Sequence, residues 1–239
     1  MNLLSFFNAK AKLGIEGRKQ TISIIKKSIL PTEKVIWMHV SSLGEYEQGL
    51  PVLEALRNQY PQHKILVSFF SPSGYEVVVK KKHFADAMFY LPFDTKTEID
   101  ELVSLFKTDI FITVKYDYWF HLLRALKNQG AKIYVVSALF YEGQVFFKPW
   151  GKWMVRQLKQ NIDWFFHQTK ASTVLAKSIK INQSSTAGDT RFDRVKQLRD
   201  RNYFVEGISE FKGEQKLIIF GSAWHSEEKI AQLLQRKLP

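Results

Sequence analysis

The chain contains no cysteine, which excludes disulfide bonds, thiolate metal ligands and catalysis by a thiol, and suits a reducing compartment. Its six histidines show none of the spacings that bind metal ions, such as H-E-x-x-H, so we expect no metal. No G-x-G-x-x-G stretch follows the first predicted strand, and we therefore expect no dinucleotide cofactor. The sequence also lacks a run of 18 apolar residues, the length that spans a bilayer.

Positive charge is the strongest bias in the composition. The 239 residues carry a formal net charge of +12, and 45% of them are hydrophobic, enough for a sizeable core. Residues 1–40 hold seven lysines and arginines against two acids, and residues 143–201 hold twelve against four. Basic residues mixed with large apolar ones are typical of surfaces that bind an anionic membrane, although nucleic acid is an alternative partner.

The membrane hypothesis depends on six aromatic residues within these basic segments. They are Phe6, Phe7, Phe146, Phe147, Trp150 and Trp153. The alternative interpretation of residues 146–160 is an amphipathic helix whose aromatic side chains face the core and whose basic side is solvated.

Short apolar runs alternate with helical patterns along most of the chain. The predicted strands are 35–40, 64–70, 87–91, 109–114, 132–137, 164–167 and 184–187. The predicted helices are 46–59, 73–82, 96–106, 118–129, 146–160, 171–181 and 190–200. Strands separated by helices predict an α/β fold with a Rossmann-like parallel sheet and right-handed crossovers.

The stretch HVSSLGE at residues 39–45 follows the first predicted strand and is the leading candidate site. It places a carboxylate, two hydroxyls and free backbone N–H groups where open α/β sheets bind ligands. The simpler interpretation is a capped helix start, with Ser42 as the cap and Glu45 in the first turn. A helix N-terminus lowers the pKa of a carboxyl group, whereas a general base benefits from a raised pKa.

The end of the chain repeats this layout. The apolar run Leu217–Phe220 predicts a strand, and the stretch GSAWHSEE at 221–228 predicts a small loop that opens a helix. One βα unit cannot cover both faces of its strand. We therefore predict a domain over residues 1–205, followed at 206–239 by a linker and the first βα unit of a second, truncated domain.

Seven stretches of the chain, taken in order, resemble the 3-deoxy-D-manno-octulosonic acid (Kdo) transferases of Gram-negative bacteria. They are EGRK at 16–19, HVSSLGE at 39–45, SPSG at 71–74, YLPFD at 90–94, Gln168, GDTRFD at 188–193 and GSAWHSEE at 221–228. The resemblance implies the amino-terminal half of a two-domain GT-B glycosyltransferase fold. It also implies transfer of Kdo from the donor substrate CMP-Kdo to the lipid A precursor in lipopolysaccharide biosynthesis, with inversion and without a metal or other cofactor.

The resemblance also implies roles for individual residues. Glu45 corresponds to the family's general base. Donor-side residues are expected at Arg191, Ser222, His225 and Glu228. For the phosphorylated acceptor we nominate Ser41, Ser42, Gly44, Arg18, Lys19, Lys115 and Asp117, with Arg18 also a candidate for pairing with an acid near the sheet. The implied location is the cytoplasmic face of the inner membrane, and nucleic acid is not an expected partner.

The chain departs from the family pattern after the fourth predicted strand. Where many relatives have E-T-E-L-W-P, it has KYDYWF at 115–120, so that Lys115 replaces an acid and Asp117 keeps one. A chain that lacks the family's anchor and most of its donor domain is expected to turn over little or not at all. Two alternatives remain: another GT-B nucleotide-sugar transferase or epimerase with a soluble acceptor, and a basic nucleic-acid-binding module.

Overall fold

The computed structural model describes residues 9–81, 83–200 and 205–237. The chain divides into two compact units, Met1–Gln197 and Leu198–Pro239. The division falls within the helix Thr190–Asp200, ahead of the boundary predicted after residue 205. The donor-binding role predicted for the second unit stays a prediction.

The first unit is built on a seven-stranded parallel sheet in the order β3-β2-β1-β4-β5-β6-β7. The strands are β1 Lys34–Val40, β2 Lys64–Phe69, β3 Ala87–Tyr90, β4 Lys107–Val114, β5 Lys132–Ala138, β6 Trp164–His167 and β7 Ser184–Thr186. Each strand predicted between residues 35 and 187 is present, with ends that differ by no more than a few residues. The α/β, Rossmann-like fold expected from the sequence is confirmed.

Helices precede, connect and follow these strands. Those of the first unit are α1 Ala9–Lys19, α2 Thr21–Ser28, α3 Leu43–Gln59, α4 Pro72–Val78, α5 Lys96–Ser104, α6 Phe120–Asn128, α7 Lys152–Asn161, α8 Lys170–Ser178 and α9 Thr190–Asp200. The predicted helix 146–160 is wrong at its start: two 3₁₀ turns, Val145–Phe147 and Pro149–Gly151, precede α7. Pro149 has no N–H for a continuous helix. No helix in the described ranges is long and apolar enough to cross a bilayer.

The central strand β1 shows why the sheet is buried on both faces. Six of its seven residues are buried, which is typical of parallel strands covered by helices on each side. Trp37 belongs to one core cluster, where its ring packs 5.2 Å from that of Phe111, while Ile36 and Met38 belong to the cluster on the opposite face. The alternation of side chains along the strand therefore fills two cores.

Gly49 allows α3 to pack closely on the sheet. A Cβ atom at this buried position would lie 2.5 Å from Met38 Sδ and 3.1 Å from Val114 Cγ2. We expect Gly49→Ala to lower the free energy of unfolding by about 1–2 kcal/mol, because overpacking outweighs the gain in helix propensity. Gly44 lies on the same helix, and a Cβ atom there would meet no neighbouring group within 4 Å, so Gly44→Ala is the matched control. Urea denaturation of both variants measures the difference, and equal stabilities would contradict the close packing.

The second unit contains two described helices, α10 Ile208–Lys212 and α11 His225–Lys237. The predicted strand Leu217–Phe220 is wrong: these residues have no regular secondary structure, and Ile219 is 70% exposed. A strand needs a neighbouring strand to accept its backbone hydrogen bonds, and residues 205–237 offer none. The helix predicted after it is present as α11.

Candidate functional site

The candidate site lies at the carboxyl edge of the sheet, where the strand order reverses between β1 and β4. At such a switch point, the connections leave neighbouring strands in opposite directions and open a crevice. The loop after β1 leads to Glu45, and the turn after β4 carries Lys115 and Asp117. The fold therefore places together the two acids that the sequence analysis nominated separately.

Glu45 is held by the start of α3. The side chain of Ser42, the N-cap residue, accepts a hydrogen bond from the backbone N–H of Glu45 at 3.4 Å. The Oε2 atom of Glu45 in turn accepts the backbone N–H of Ser41 at 2.6 Å. This reciprocal arrangement resembles a capping box and fixes the carboxyl group in one orientation. Glu45 is only 7% exposed.

Glu45 and Asp117 form a carboxyl pair. Burial, with the negative charge of Asp117 added to it, raises the pKa of Glu45 to about 7, against the opposing effects of the Ser41 N–H and the Lys115 ammonium. Burial also raises the pKa of Asp117. Its Oδ2 atom is buried and has no hydrogen-bond partner in the described part of the chain. Glu45 therefore gains or loses its proton near neutral pH, because burial and Asp117 outweigh the Ser41 N–H at the start of the helix and the Lys115 ammonium.

A strained turn after β4 positions Asp117. Lys115 has a φ of +65°, in the left-handed region that favours glycine. Its backbone N–H donates to Val136 O at 3.0 Å, and its carbonyl accepts the Tyr118 hydroxyl at 3.2 Å. The hydroxyl of Thr113 donates to the Asp117 carbonyl at 3.0 Å. These bonds maintain a backbone conformation that costs about 1–2 kcal/mol for a residue with a side chain.

His39 supports the site without titrating in it. Its Nε2 atom accepts the indole N–H of Trp119 at 2.8 Å, so its proton is on Nδ1, which donates to Ser68 Oγ at 2.9 Å. The same Ser68 oxygen accepts the indole N–H of Trp37 at 2.8 Å. Full burial lowers the pKa of His39 to about 3. His39 is therefore neutral and links β1 and β2 to the turn after β4.

An apolar cleft adjoins the loop that carries Ser41. The backbone N–H of Ser71 donates to Ser41 O at 3.0 Å. The cleft has a volume of about 230 Å³, and the residues lining it include Gly14, Ile15, Arg18, Phe70, Pro72 and Phe93. This cleft places a hydrophobic surface beside the candidate site.

Arg18 forms one wall of the cleft. Its Nη1 and Nη2 atoms donate to the carbonyls of Gly14 at 2.9 Å and Phe70 at 2.8 Å. Its guanidinium carbon lies 4.7 Å from the ring centroids of Phe70 and Phe93. The predicted pairing of Arg18 with an acid near the sheet is therefore wrong: the guanidinium donates to two backbone carbonyls and lies over the rings of Phe70 and Phe93.

Two other residues predicted to bind the acceptor, Gly44 and Lys19, are exposed. Gly44 lies exposed in the first turn of α3. Lys19 is exposed on α1 and pairs with Glu16 at 2.8 Å. The nominees that the structure gathers around Glu45 are thus Ser41, Ser42, Lys115 and Asp117.

The sequence analysis missed Gln48, which lies one turn after Glu45 on α3 and is fully buried. Its side-chain amide donates to Asp189 Oδ1 at 2.8 Å, and its backbone carbonyl accepts the Thr190 hydroxyl at 2.5 Å. Asp189 also accepts Arg191 Nε at 2.8 Å. Gln48 lies three residues after Glu45 and therefore on the same side of α3. This spacing was the only feature of the sequence that could have indicated Gln48 as a site residue. The start of α9 is thereby tied to the helix that carries Glu45.

The remaining donor nominees lie in the second unit. His225 Nδ1 is 3.6 Å from Glu228 Oε2 at the start of α11, and both side chains are exposed. Ser222 has a φ of +54°. Across the described residues, no group of three or more histidine, aspartate or glutamate side chains is arranged to hold a metal ion.

The aromatic residues nominated for the membrane divide into two sets. Phe146 is 8% exposed and belongs to the core, so its predicted surface role is wrong: the 3₁₀ turn directs it towards Phe140, at a centroid distance of 5.5 Å. Phe147 is half-buried. Trp150 and Trp153 are 73% and 52% exposed. Phe6 and Phe7 lie outside the described residues.

A family model described as 3-deoxy-D-manno-octulosonic-acid transferase (kdotransferase) matches residues 15–194. The chain belongs to this family. The Kdo transferase of Aquifex aeolicus is 24% identical over 202 residues, which are 81% of this chain and 51% of that protein. A bifunctional glycosyltransferase/methyltransferase of Fusobacterium nucleatum is 25% identical over 213 residues, 80% of this chain and 33% of that protein. The chain thus spans about half the length, or less, of these curated relatives.

Solved structures agree on the fold. A putative UDP-N-acetylglucosamine 2-epimerase from Listeria monocytogenes matches with a TM-score of 0.57 at 17% identity, covering 86% of this chain and 60% of that one. The wall teichoic acid polymerase TagF matches with a TM-score of 0.51 at 13% identity, covering 94% and 57%. At these identities the likeness shows architecture alone, and it agrees with half of a GT-B fold in a Kdo transferase family member.

Proposed function

We propose that this chain provides the acceptor side and the general base of a Kdo transferase that moves Kdo from CMP-Kdo to the lipid A precursor. The observation that carries the proposal is the buried Glu45–Asp117 pair at the switch point of the sheet, in a chain of this family. The reaction inverts the anomeric centre, uses no metal and belongs to lipopolysaccharide biosynthesis.

The chemistry requires one base on the acceptor. The acceptor hydroxyl oxygen forms a bond to the anomeric carbon of Kdo while the bond from that carbon to the CMP phosphate oxygen breaks. The hydroxyl proton passes to the Glu45 carboxylate. A base with a pKa near 7 combines an available carboxylate with sufficient proton affinity at neutral pH. Asp117 supports this role because its charge raises the proton affinity of Glu45.

Acceptor binding is assigned to the same edge of the sheet. The lipid A precursor carries phosphates and acyl chains. The Lys115 ammonium, the hydroxyls of Ser41 and Ser42 and the backbone N–H of Gly44 suit a phosphate, and the apolar cleft beside Phe70 suits an acyl chain.

On the donor side, Arg191, Ser222, His225 and Glu228 are proposed to contact CMP-Kdo. We further propose that the protein works at the cytoplasmic face of the bacterial inner membrane, with an anionic membrane surface as its partner. The exposed Trp150 and Trp153 among basic residues support that location.

Product formation tests the proposal. The chain is incubated with CMP-Kdo and lipid A precursor, both alone and joined to the carboxy-terminal half of the Aquifex aeolicus relative, and products are separated by thin-layer chromatography. Kdo-modified lipid A precursor is the expected product of the fusion, with little or none from the chain alone. Turnover of UDP-N-acetylglucosamine, or transfer of Kdo to a soluble sugar in preference to the lipid, would favour the other nucleotide-sugar enzymes instead.

Charge reversal at Lys115 tests the acceptor site. We expect Lys115→Glu to raise the acceptor KM by roughly tenfold at low salt, and by less as salt screens the interaction, with the affinity for CMP-Kdo unchanged. Lys107→Glu, at the opposite end of β4, is the matched control with the same change of net charge. An acceptor KM equal to that of the unmodified protein at every salt concentration would remove Lys115 from the site.

A further inference from the structure

A second cavity lies away from Glu45, beside the 3₁₀ turns and α7. Its volume is about 610 Å³, within the range of pockets that bind small molecules. We call it the Lys148 pocket. Its lining includes three lysines and three apolar residues: Lys148, Lys152, Lys180, Phe146, Phe147 and Ile179. None of the nine lining residues is acidic.

The three lysines of the Lys148 pocket line one cavity, and none of them pairs with an acid among the described residues. Lysines that do have a carboxylate oxygen within 4.0 Å in the described ranges include Lys19, Lys64, Lys80, Lys96, Lys127 and Lys132. The pocket lysines are absent from that set, and all three are exposed. Three like charges around one cavity repel each other, and an anion bound between them relieves that repulsion.

The backbone at Lys180 gives an independent indication. Its φ is +62°, just after the end of α8, a left-handed position that glycine usually occupies. A lysine at this position carries a conformational cost, which a function for its charge would explain.

The surroundings of the Lys148 pocket indicate what kind of anion fits. Phe146, Phe147 and Ile179 offer an apolar wall, so a free inorganic ion would leave most of the cavity unused. Trp150 and Trp153, which flank pocket residues in the sequence, are 73% and 52% exposed. Exposed tryptophans beside lysines are typical of surfaces at the boundary between lipid headgroups and acyl chains.

We propose that the Lys148 pocket binds an anionic glycerophospholipid, with the headgroup phosphate between the three lysines and the first part of an acyl chain against the apolar wall. The pocket is a binding site separate from the Glu45 site and needs neither CMP-Kdo nor the lipid A precursor. It would hold the protein at a membrane by selecting single anionic lipids, in addition to the diffuse attraction of its net charge.

The test uses the intact chain and soluble dihexanoyl-phosphatidylglycerol, with tryptophan fluorescence as the readout. We expect saturable binding that dihexanoyl-phosphatidylcholine does not reproduce. Changing Lys148, Lys152 and Lys180 together to Glu should weaken binding at least tenfold, because each lysine near an anionic headgroup contributes to the attraction. The matched control changes the exposed Lys26, Lys27 and Lys107 to Glu, with the same change of net charge and an expected effect below threefold.

A variant that preserves charge separates the cavity from its surface. Ser178 lines the Lys148 pocket and is exposed, so Ser178→Phe fills it while all three lysines remain and adds no tryptophan to the fluorescence readout. We expect this variant to lose binding of the short-chain lipid at least fivefold and to keep its sedimentation with phosphatidylglycerol vesicles largely intact. Three results would overturn the proposal: unchanged binding by the triple-lysine variant, equal losses in the control, or preferential saturation by the lipid A precursor.

Discussion

Replacing Glu45 with Gln should lower the rate of Kdo transfer by roughly two to four orders of magnitude, the usual contribution of a general base. The amide keeps the size of the side chain and can still accept the Ser41 N–H at its oxygen. It cannot take the proton of the acceptor hydroxyl. The expected loss is in kcat, with the acceptor KM little changed, because the group acts mainly in the transition state.

Glu54→Gln is the matched control for this variant, since Glu54 lies on the same helix and its side chain accepts a hydrogen bond from Gln197 Nε2 at 3.1 Å. Its rate should stay within about twofold of the unmodified protein. A Glu45→Gln protein with near-normal turnover would reduce Glu45 to a helix-start residue and end its assignment as the base. The unmodified protein and both variants are measured as fusions with the carboxy-terminal half of the Aquifex aeolicus relative.

The stability of the protein should depend on pH through the same residue. Glu45 has a folded-state pKa of about 7 and a reference value of 4.5, so between these pH values the unfolded chain binds fewer protons than the folded one. The contribution of Glu45 to the free energy of unfolding is therefore fully present below about pH 4.5 and is lost as pH rises through 7. A shift of this size corresponds to at most about 3 kcal/mol.

Glu45→Gln isolates that contribution. Gln imitates the protonated acid, since its amide can donate to Asp117 as the carboxyl proton does. We expect the two proteins to have similar free energies of unfolding at pH 4.5, and the variant to be more stable by up to about 3 kcal/mol at pH 8. The buried histidines, His39 and His167, affect both proteins equally and cancel in the comparison. Urea titrations at the two pH values measure the difference in free energy of unfolding between the two proteins. A difference that does not depend on pH would contradict the carboxyl pair.

Much of the fold follows from local patterns. The central strands are recognisable because a parallel strand covered on both faces is an almost continuous apolar run, as in β1. The start of α3 is recognisable from the spacing of Ser42 and Glu45. The strand predicted at Leu217–Phe220 shows the limit of this reasoning: its apolar pattern resembles that of β1, but strand formation depends on a partner that the pattern does not specify.

The chemistry of the site depends on contacts between residues distant in sequence. The pKa of Glu45 is raised largely by burial and by Asp117, which arrives from the turn after β4. Gln48 and Asp189 are 141 residues apart and meet only through the tertiary fold, which also joins α9 to α3 by the ion pair of Arg194 with Glu47. Local sequence indicates where a carboxyl group lies, but its proton affinity is set by neighbours that the tertiary fold brings to it.

Trp119, whose indole N–H donates to His39, is a natural fluorophore beside the candidate site. Trp119 packs against Phe70, with ring centroids 4.8 Å apart and ring planes tilted by 31°, and Phe70 lines the apolar cleft beside the Ser41 loop. A ligand that enters the cleft would contact Phe70 and thereby change the surroundings of the Trp119 indole, whose N–H donates to the imidazole of His39. We therefore expect occupancy of the cleft to change the fluorescence of Trp119, which would let ligand binding be followed without a label.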